Sequence, residues 1–343
     1  MNGFQRIRAA LNGEWPDTTP VMLHNFMTAA KEAGFPQEAF RNSASNIAES
    51  FIRAVETYGY DGVYVDLDTV TLAGAVGVPV DFPKDEPAIS HEPLLHEIED
   101  IAKLKKIDVQ SYKYVQVWLE AVRLLADHFK DEIFIRGNCD QAPFSLAGSM
   151  RSPQNWMIDL IDPENEELVF QLISYCEEVV RDFITLMAET GAHMISNGDS
   201  PAGPSMISPA MYEKFALPSE KTIVELVHSL GLPYCLHICG NIDPILELVP
   251  ETGTDAMELD YMTDVKKAHD VFKDRITFFG NIDPSGVLAL GSASLVEKKT
   301  EELLAVYSDT PYFVLNAGCA MPKDTPGENI KAMINTARKV RHV

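Results

Sequence analysis

Eight short apolar runs alternate with amphipathic helical patterns along almost the whole chain, and this alternation constrains the fold more than any other feature. Each run is apolar at its start and ends in polar or metal-capable residues. Strands that alternate with helices indicate a parallel sheet, because a parallel connection needs a long crossover. The predicted strands occupy residues 19–24, 62–68, 132–139, 193–199, 233–239, 254–260, 276–283 and 312–319.

Eight such units predict an α/β fold in which the sheet closes into a (β/α)8 TIM barrel. An open doubly wound sheet is the alternative, but no G-x-G-x-x-G or Walker A pattern follows any predicted strand. The 343 residues contain no low-complexity tract and no Gly/Ser linker, so we expect a single domain over residues 1–343. The carboxyl ends of the strands then share one rim, where barrel enzymes place their active sites.

The chain exceeds a minimal barrel of roughly 250 residues, and the additional residues lie mainly in two places. Extra N-terminal helical sequence is predicted before the second strand, near residues 37–58, and a long segment follows that strand, over residues 69–130. The long segment begins with LAGAVGVPVDFPKDEP, which is too rich in Gly and Pro for a regular element. Because it follows the rim, it is either a lid or substrate loop, or an addition without a role in the site.

Charge and apolar runs exclude several classes of partner. With 51 acidic and 28 basic residues the formal net charge is −23, which disfavours nucleic acid and anionic membranes. No apolar run approaches the roughly 18 residues of a bilayer span, and the N-terminus lacks the apolar core of a signal peptide, so we expect a cytoplasmic protein.

The five cysteines are an odd number in a long chain, which favours reduced thiols or metal ligands over disulfides.

The pentapeptide GNIDP occurs twice, at 240–244 and 280–284, at the ends of two predicted strands. Asp followed by Pro is a typical helix start, because the carboxylate caps free N–H groups and proline suits the first helical position. We therefore expect both copies to form strand-to-helix turns, with Asp243 and Asp283 as caps. Asn241 and Asn281 could face the rim or bond locally within the turn.

Only the first copy follows groups that could bind a metal. Side chains alternate along a strand, so Cys235, His237 and Cys239 point to one face, and the last two are nearest the rim. Cys319 ends the last predicted strand at the same rim. Two thiolates and one imidazole leave an open fourth position, which is typical of catalytic zinc, and soft sulfur ligands favour zinc over magnesium or calcium. The alternative is a barrel-lining histidine beside buried, inert cysteines.

This ligand set also favours one class of reaction. Two thiolates roughly neutralise Zn²⁺ and leave a mild Lewis acid, which is suited to holding a substrate thiol as a reactive thiolate. Water activation for hydrolysis more often uses histidine-rich ligands. The set therefore indicates alkylation of a thiolate, that is, methyl transfer.

Four segments resemble the uroporphyrinogen decarboxylase superfamily, and within it the zinc-containing, corrinoid-dependent methyltransferase branch. They are HICGN at 237–241, NAGCAMPKDTPGENIKAM at 316–333, SPAMYEKFALPSEKTI at 208–223 and YDGVYVDLDTVTLAGAVG at 60–77. The resemblance implies a (β/α)8 barrel, zinc ligation by His237, Cys239 and Cys319, and a corrinoid cofactor on a partner protein. The decarboxylases proper carry an arginine-rich segment after the first strand. Residues 24–34 contain no arginine, so decarboxylation is not expected.

Further polar residues at the strand ends are candidates for the site, each with a purely structural alternative. Glu258 ends the sixth strand and could be a displaceable fourth ligand or a proton acceptor, or a capping carboxylate. Asp199 ends the fourth strand and could orient substrate or a ligand histidine, or cap its turn. The candidates for substrate contact are His24, Asn25, Asp66, Asn197 and Asn281. The weaker candidates are two arginines that could anchor an anion, a spare thiol at the rim and a core thiol in a helix: Arg136, Arg151, Cys139 and Cys176.

The sequence thus predicts a zinc-dependent methyltransferase that moves a methyl group between a small substrate and a corrinoid on a partner protein. The substrate is a methoxy or otherwise methylated donor, or a thiol acceptor, and the direction of transfer stays open. A metal-independent lyase acting on a porphyrin-like acid is the enzymatic alternative. A non-catalytic barrel that carries corrinoid or metal is the second alternative.

Overall fold

The main sheet consists of eight parallel strands in sequence order, which confirms the predicted (β/α)8 barrel. In this computed structural model, which describes residues 1–341, each barrel strand pairs with the next one along the chain. A parallel bridge between Val21 and Leu315 joins the last strand to the first and closes the barrel. The barrel strands are β1 Met22–Leu23, β2 Gly62–Val65, β3 Phe134–Gln141, β4 Met194–Gly198, β5 Tyr234–Ile238, β6 Ala256–Leu259, β7 Thr277–Ile282 and β8 Phe313–Ala317.

Helices surround the barrel and cover its outer face. Their bounds are α1 Gly3–Leu11, α2 Phe26–Glu32, α3 Gln37–Arg41, α4 Ala44–Tyr58, α5 Thr71–Val76, α6 Lys113–Phe129, α7 Pro143–Arg151, α8 Pro153–Ile161, α9 Glu166–Ala188, α10 Pro209–Met211, α11 Leu217–Ser229, α12 Val265–Phe272, α13 Ala293–Val306 and α14 Gly327–Lys339. The sequence sets the ends of α4 clearly: Ser43 accepts a hydrogen bond from the Asn46 N–H, and Gly59 ends the helix at φ +69°. Among residues 1–341, no helix has the length and apolar character that a bilayer span requires.

Side chains from every strand form one apolar layer inside the barrel. The layer consists of Met22, Tyr64, Phe134, Met194, Cys235, Ala256, Phe279 and Val314, all of them buried. Ile7 and Ala10 of α1 pack against this layer and cover the amino-terminal end of the barrel. Packing therefore closes one end, and the carboxyl ends of the strands are left for a functional site.

A polar layer follows the apolar one toward the carboxyl ends of the strands. Because strand side chains alternate, the next inward positions lie two residues further along each strand. On seven strands these positions hold His24, Asp66, Arg136, Ser196, His237, Glu258 and Asn316, and all of these side chains are buried. On β7 the corresponding residue is Asn281, which is also buried and donates to the backbone carbonyl of Asp260. Burying polar groups is costly unless they are paired with one another, so this layer indicates where the barrel serves a function rather than stability.

The segment after β2 is more regular than its composition predicts. The expectation of no regular element at its start is wrong, because α5 begins there. Asp68 accepts hydrogen bonds from the backbone N–H groups of Val70 and Thr71, which satisfies donors at the start of this helix. Further along, Val80–Asp81 and Ile89–Ser90 form a small antiparallel hairpin.

The two GNIDP copies differ in how their aspartates are used. Asp283 caps the turn Pro284–Ala289 as predicted, accepting hydrogen bonds from the N–H groups of Ser285 and Gly286. The prediction for Asp243 is wrong. Its carboxylate instead accepts hydrogen bonds from the Asp264 N–H and the Lys267 side chain, and so ties its loop to α12.

Replacing Phe279 with alanine should destabilise the barrel, because it opens a cavity in the apolar layer. Phe279 is fully buried in that layer, and truncations of this kind typically cost about 3–5 kcal/mol of unfolding free energy. Chemical unfolding followed by circular dichroism measures the change. Phe170→Ala is the matched control, because that side chain is 39% exposed, and its cost should stay below about 1 kcal/mol. Equal costs for the two variants would contradict the packed interior.

Candidate metal centre and its cavity

Three side chains that could bind a metal meet at the mouth of the barrel. The Nε2 atom of His237 lies 2.9 Å from the Sγ atom of Cys239, which lies 3.7 Å from the Sγ atom of Cys319. All three ligand atoms lie within 4.8 Å of one another. His237 is buried, whereas the two cysteines are partly exposed. The fold thus brings together the three residues that the sequence analysis singled out as metal ligands.

The ends of β5 and β8 position these ligands. The Nδ1–H of His237 donates a hydrogen bond of 3.1 Å to the backbone carbonyl of Glu258 on the neighbouring strand β6, which directs Nε2 toward the cysteines. Gly318 precedes Cys319, and a Cβ atom at Gly318 would lie 2.4 Å from the backbone nitrogen of Tyr261. Glycine therefore lets the chain pass close to Tyr261 and carry Cys319 to the mouth.

The donor set fits a zinc ion. Two sulfurs bound at about 2.3 Å to a tetrahedral ion are separated by roughly 3.8 Å, close to the 3.7 Å between the Sγ atoms of Cys239 and Cys319. The ring of His237 would have to move away from Cys239, because its 2.9 Å contact is a hydrogen-bond distance. All three residues border one cavity, so a fourth ligand has access from that side.

Proximity changes the protonation of all three groups. A hydrogen bond from Cys319 and the charge of His237 lower the pKa of Cys239 to about 3, despite its burial. Burial lowers the pKa of His237, but the Cys239 thiolate outweighs this effect and raises it to about 10. The same contact with Cys239, together with burial, raises the pKa of Cys319 above its usual value. The cluster therefore already holds one thiolate, and a bound metal would displace the protons of the other two groups.

In the polar layer, His24 lies between two carboxylates. Its Nδ1–H donates to Oε1 of Glu258 at 3.0 Å, and its Nε2–H donates to Oδ2 of Asp66 at 2.7 Å. Burial lowers the pKa of His24, but Glu258 and Asp66 outweigh this effect and raise it to about 9. Glu258 also pairs with Arg136, whose guanidinium carbon lies 3.7 Å from the centre of the Tyr64 ring. Burial raises the pKa of Glu258, but Arg136 and His24 lower it below its usual range. Each of these charged groups in the polar layer therefore lies beside a group of opposite charge.

A cavity of about 150 Å³ lies between this polar layer and the three metal-capable residues. Its polar wall includes His24, Asp66, Asp68, Thr69, Asn138, Asp140, Gln141 and Ser200, and its apolar wall includes Phe26, Tyr64, Pro87 and Ala88. Pro87 and Ala88 come from the long segment after β2, so that segment borders the site, as its interpretation as a substrate loop predicts. The wall combines several acidic groups with few cationic ones.

Asn197 on β4 and Asp199, which follows this strand, do not border this cavity. The Oδ1 atom of Asp199 accepts a hydrogen bond of 3.0 Å from the backbone N–H of Ser145 on α7. Asn197 donates to the backbone carbonyl of Cys139 at 2.6 Å, and its Oδ1 accepts a hydrogen bond from the Tyr234 hydroxyl at 3.2 Å. Both side chains are completely buried and hold β4 to its neighbours.

Asn25 and Asn281 also lie outside the cavity wall. Asn25 immediately precedes α2 and is buried. Asn281 donates a hydrogen bond of 3.1 Å to the backbone carbonyl of Asp260 and borders a separate groove between α12 and α13. Of the five residues predicted to contact substrate, the fold brings His24 and Asp66 to the cavity and places the other three elsewhere.

The weaker candidates have structural roles. Arg136 and Arg151, candidates for anchoring an anion, each pair with a buried carboxylate, Glu258 for the first and Asp159 for the second, and neither borders the cavity. Cys139 is fully buried in the outer core and does not reach the rim. Cys176 is a core residue of α9, as predicted.

Asn138 and Asp140 border the cavity, although the sequence analysis passed over them. Asn138 donates a hydrogen bond of 2.6 Å to Oδ1 of Asp66. The available signal was the polar run GNCDQ at the end of the third strand. Alternation from Phe134 and Arg136 places Asn138 on the inward face, whereas Asp140 lies within the register shift between Asn138 and Gln141, where alternation no longer holds.

The fold and the ligand set define a (β/α)8 barrel with a metal-capable site at the carboxyl ends of its strands. The sequence model of the uroporphyrinogen decarboxylase (URO-D) family matches residues 2–340, and the chain belongs to that family.

Relatives of known name include both methyltransferases and decarboxylases. The methylcobamide:CoM methyltransferase MtbA of Methanosarcina acetivorans is 28% identical over 345 residues, which cover 98% of each protein. The uroporphyrinogen decarboxylase of Trichodesmium erythraeum is 27% identical over 347 residues, which cover 96% of this chain and 94% of the relative. Similarity over the full length to enzymes of both kinds supports an enzymatic function.

A solved structure supports the fold independently. A methyltransferase from Methanosarcina mazei superposes with a TM-score of 0.89 at 22% identity, covering 99% of both chains. A B12-independent methionine synthase from Shewanella sp. W3-18-1 superposes with a TM-score of 0.55 at 11% identity. At these identities the comparison establishes a shared barrel and leaves the chemistry to the site residues.

Replacing Glu258 with glutamine should lower the pKa of His24, because one of its two carboxylate partners loses its charge. NMR titration should give a His24 pKa of about 9 in the wild type and a lower pKa in the variant. The pKa of a histidine in the unfolded chain is about 6.5. The imidazolium should therefore stabilise the fold fully below pH 6.5, and this stabilisation should disappear as the pH rises through about 9. Asp127→Asn, which changes an exposed carboxylate on α6, is the control and should leave the titration unchanged. A wild-type His24 that titrates near 6.5 would contradict the pairing.

Proposed function

We propose that this protein is a zinc-dependent methyltransferase that moves a methyl group between a small substrate and a corrinoid carried by a partner protein. The observation that carries the proposal is the convergence of one imidazole and two cysteine sulfurs within 4.8 Å at the barrel mouth. Similarity to methylcobamide:CoM methyltransferases over 98% of the chain supports the reaction class.

His237, Cys239 and Cys319 would hold the ion. Bound there, zinc would supply a mild Lewis acid that stabilises negative charge on a substrate sulfur or oxygen. The two cysteine thiolates would offset its charge, which suits a softly held thiolate better than an activated water. The hydrogen bond from His237 to the Glu258 carbonyl orients the imidazole for this role.

The other residues of the polar layer would act through their positions and charges. Glu258 is committed to His24 and Arg136, so we assign it to positioning rather than to the fourth ligand position. His24 is a protonated group on the cavity wall beside Asp66. Because both of its ring N–H groups are donated to Glu258 and Asp66, we assign His24 to holding the charge balance of the wall. Asp199 would act through its backbone. Its N–H donates a hydrogen bond of 2.7 Å to the backbone carbonyl of His237 and so holds β5, the strand that carries this metal-capable residue.

A second opening would give a large cofactor access to the same cluster. A groove of about 730 Å³ borders Cys239 and is lined by Pro201, Pro204, Met206, Met262 and neighbouring residues. Met206 and Met262 are 43% and 57% exposed. An apolar rim of this kind would suit the face of a corrinoid presented by its carrier protein, while the small substrate would occupy the smaller cavity, which also borders Cys239.

The decarboxylase alternative has support from the named relatives and is opposed by the cavity. A porphyrin-like acid carries several carboxylates, which need cationic partners. Among the described residues that line the cavity there is no lysine or arginine. The alternative of a non-catalytic carrier predicts the same metal site without turnover. An activity assay therefore has to distinguish the carrier from the enzyme.

The purified protein should contain about one zinc ion per chain, and loss of a ligand should weaken zinc binding by more than about 100-fold. Metal analysis of Cys239→Ser and Cys319→Ser after dialysis measures this loss, and circular dichroism checks that the fold is intact. Cys176→Ala is the control, since this thiol lies in the core of α9, and it should retain zinc. Equal zinc content in the wild type, the two serine variants and Cys176→Ala would contradict the assignment of the ligands.

Absorbance spectroscopy should detect methyl transfer in at least one direction. One assay mixes the zinc-loaded protein with methylcobalamin and small thiols, and the other mixes it with reduced cobalamin and methoxy or methylamine donors. Chelation or Cys319→Ser should lower the rate by at least about 100-fold, because the ion no longer stabilises the developing charge. Activity that survives both treatments would refute the proposal, and zinc binding without turnover in either assay would favour the carrier.

A further inference from the structure

Asp140 occupies an irregular position at the mouth of the barrel. It lies where the register of β3 against β4 shifts, and its φ of +60° is uncommon for a residue other than glycine. Bulges of this kind often re-aim a side chain next to a functional site. Asp140 is fully buried and borders the cavity in front of the metal-capable cluster.

Only half of this carboxyl group is satisfied. The Oδ2 atom of Asp140 accepts a hydrogen bond of 2.6 Å from the backbone N–H of Leu72, at the start of α5. The Oδ1 atom is equally buried and has no hydrogen-bond partner. A buried oxygen without a partner costs free energy, so the unfilled position on the cavity wall indicates that something else supplies a donor.

Among the described residues, no cationic side chain forms an ion pair with Asp140; the nearby Arg41 is paired with Asp68. Asp66 pairs with His24. Asp68 pairs with Arg41, which borders a separate recess rather than the cavity. Among the described lining residues, His24 and the metal-capable His237 are the only groups that can carry positive charge. An anionic ligand would therefore find only these two histidines as cationic partners, whereas a cationic one can take the place of a proton on Asp140.

We propose that Asp140 determines specificity by binding an ammonium group, or another group rich in N–H donors, on a small substrate whose reacting heteroatom lies at the metal cluster. This inference rests on the proposed function for the identity of the reacting end. The inference goes beyond the proposed function in two ways. It assigns a positive charge to the far end of the substrate, and it excludes substrates that carry a sulfonate, carboxylate or phosphate group there.

The protonation of Asp140 is consistent with this role. Burial and the neighbouring Asp68 raise the pKa of Asp140 well above its usual value, against the Leu72 N–H, which lowers it. A buried carboxyl group in such surroundings holds a proton until a cation takes its place. A bound ammonium group would be that cation, and it would make a charge-assisted hydrogen bond to Oδ1.

Three thiols that differ only at the far end test the proposal directly. Cysteamine carries an ammonium group, 2-mercaptoethanol a hydroxyl group and 2-mercaptoethanesulfonate a sulfonate group, and all three offer the same thiol to the zinc. Calorimetry on the zinc-loaded protein should show the tightest binding for cysteamine and the weakest for the sulfonate. Asp140→Asn should weaken cysteamine binding by about tenfold or more, and 2-mercaptoethanol binding by less than about twofold.

Controls separate specificity from general damage. Asp127→Asn removes one exposed carboxylate on α6 and should keep the wild-type order. A purely structural Asp140 would change the affinities of all three thiols by the same factor. If Asp140→Asn fails to fold, the order of binding in the wild type still decides. Tightest binding of the sulfonate, or an unchanged ratio of cysteamine to 2-mercaptoethanol in Asp140→Asn, would overturn the inference.

The two proposals fail in different ways. Binding of cysteamine, 2-mercaptoethanol and the sulfonate is also measured in metal-free protein, because the contact with Asp140 does not involve the ion. Absence of zinc binding would overturn the proposed function, while the order of the three thiols in metal-free protein would still decide the role of Asp140. Zinc binding and methyl transfer with the sulfonate preferred would overturn the role of Asp140 alone.

Discussion

A buried ion pair between Arg136 and Glu258 is the interaction on which the mouth of the barrel depends. Removing one partner of such a pair typically costs about 3–5 kcal/mol, because the other charge is left buried and unpaired. From this pair, polar contacts run outward through His24 to Asp66. The backbone carbonyl of Glu258 also orients His237. One interaction thus supports both the wall of the cavity and the direction of a metal ligand.

Charge divides the mouth into two regions. Cys239 and Cys319 would nearly neutralise a divalent zinc ion, so that end of the site suits a reacting sulfur or oxygen. The rest of the cavity wall carries carboxyl groups, and Asp140 among them lacks a partner for one buried oxygen. A substrate therefore meets two different electrostatic environments within one small cavity. This arrangement can select a substrate by its far end without changing the chemistry at the metal.

The named relatives, similar to this chain over nearly its full length, include a methyltransferase and a decarboxylase. The fold alone therefore cannot assign the reaction, and the side chains at the mouth must do so. Here they include two sulfurs and an imidazole within 4.8 Å. The arginines that could have bound an acidic substrate are committed to Glu258, Asp159 and Asp68. These two observations together favour methyl transfer over decarboxylation.

The sequence by itself determined the eight-unit barrel, because strand and helix periods are local properties of the chain and a closed barrel places all strand ends on one rim. The same reasoning brought His237, Cys239 and Cys319 together. Only the tertiary structure decided that Asp140 borders the cavity and that Asn197, Asp199 and Asn281 do not. Those outcomes depend on a register shift in β3 and on hydrogen bonds to neighbouring strands, loops and helices. Alternation along a single strand cannot reveal either, because both arise between segments that are distant in sequence.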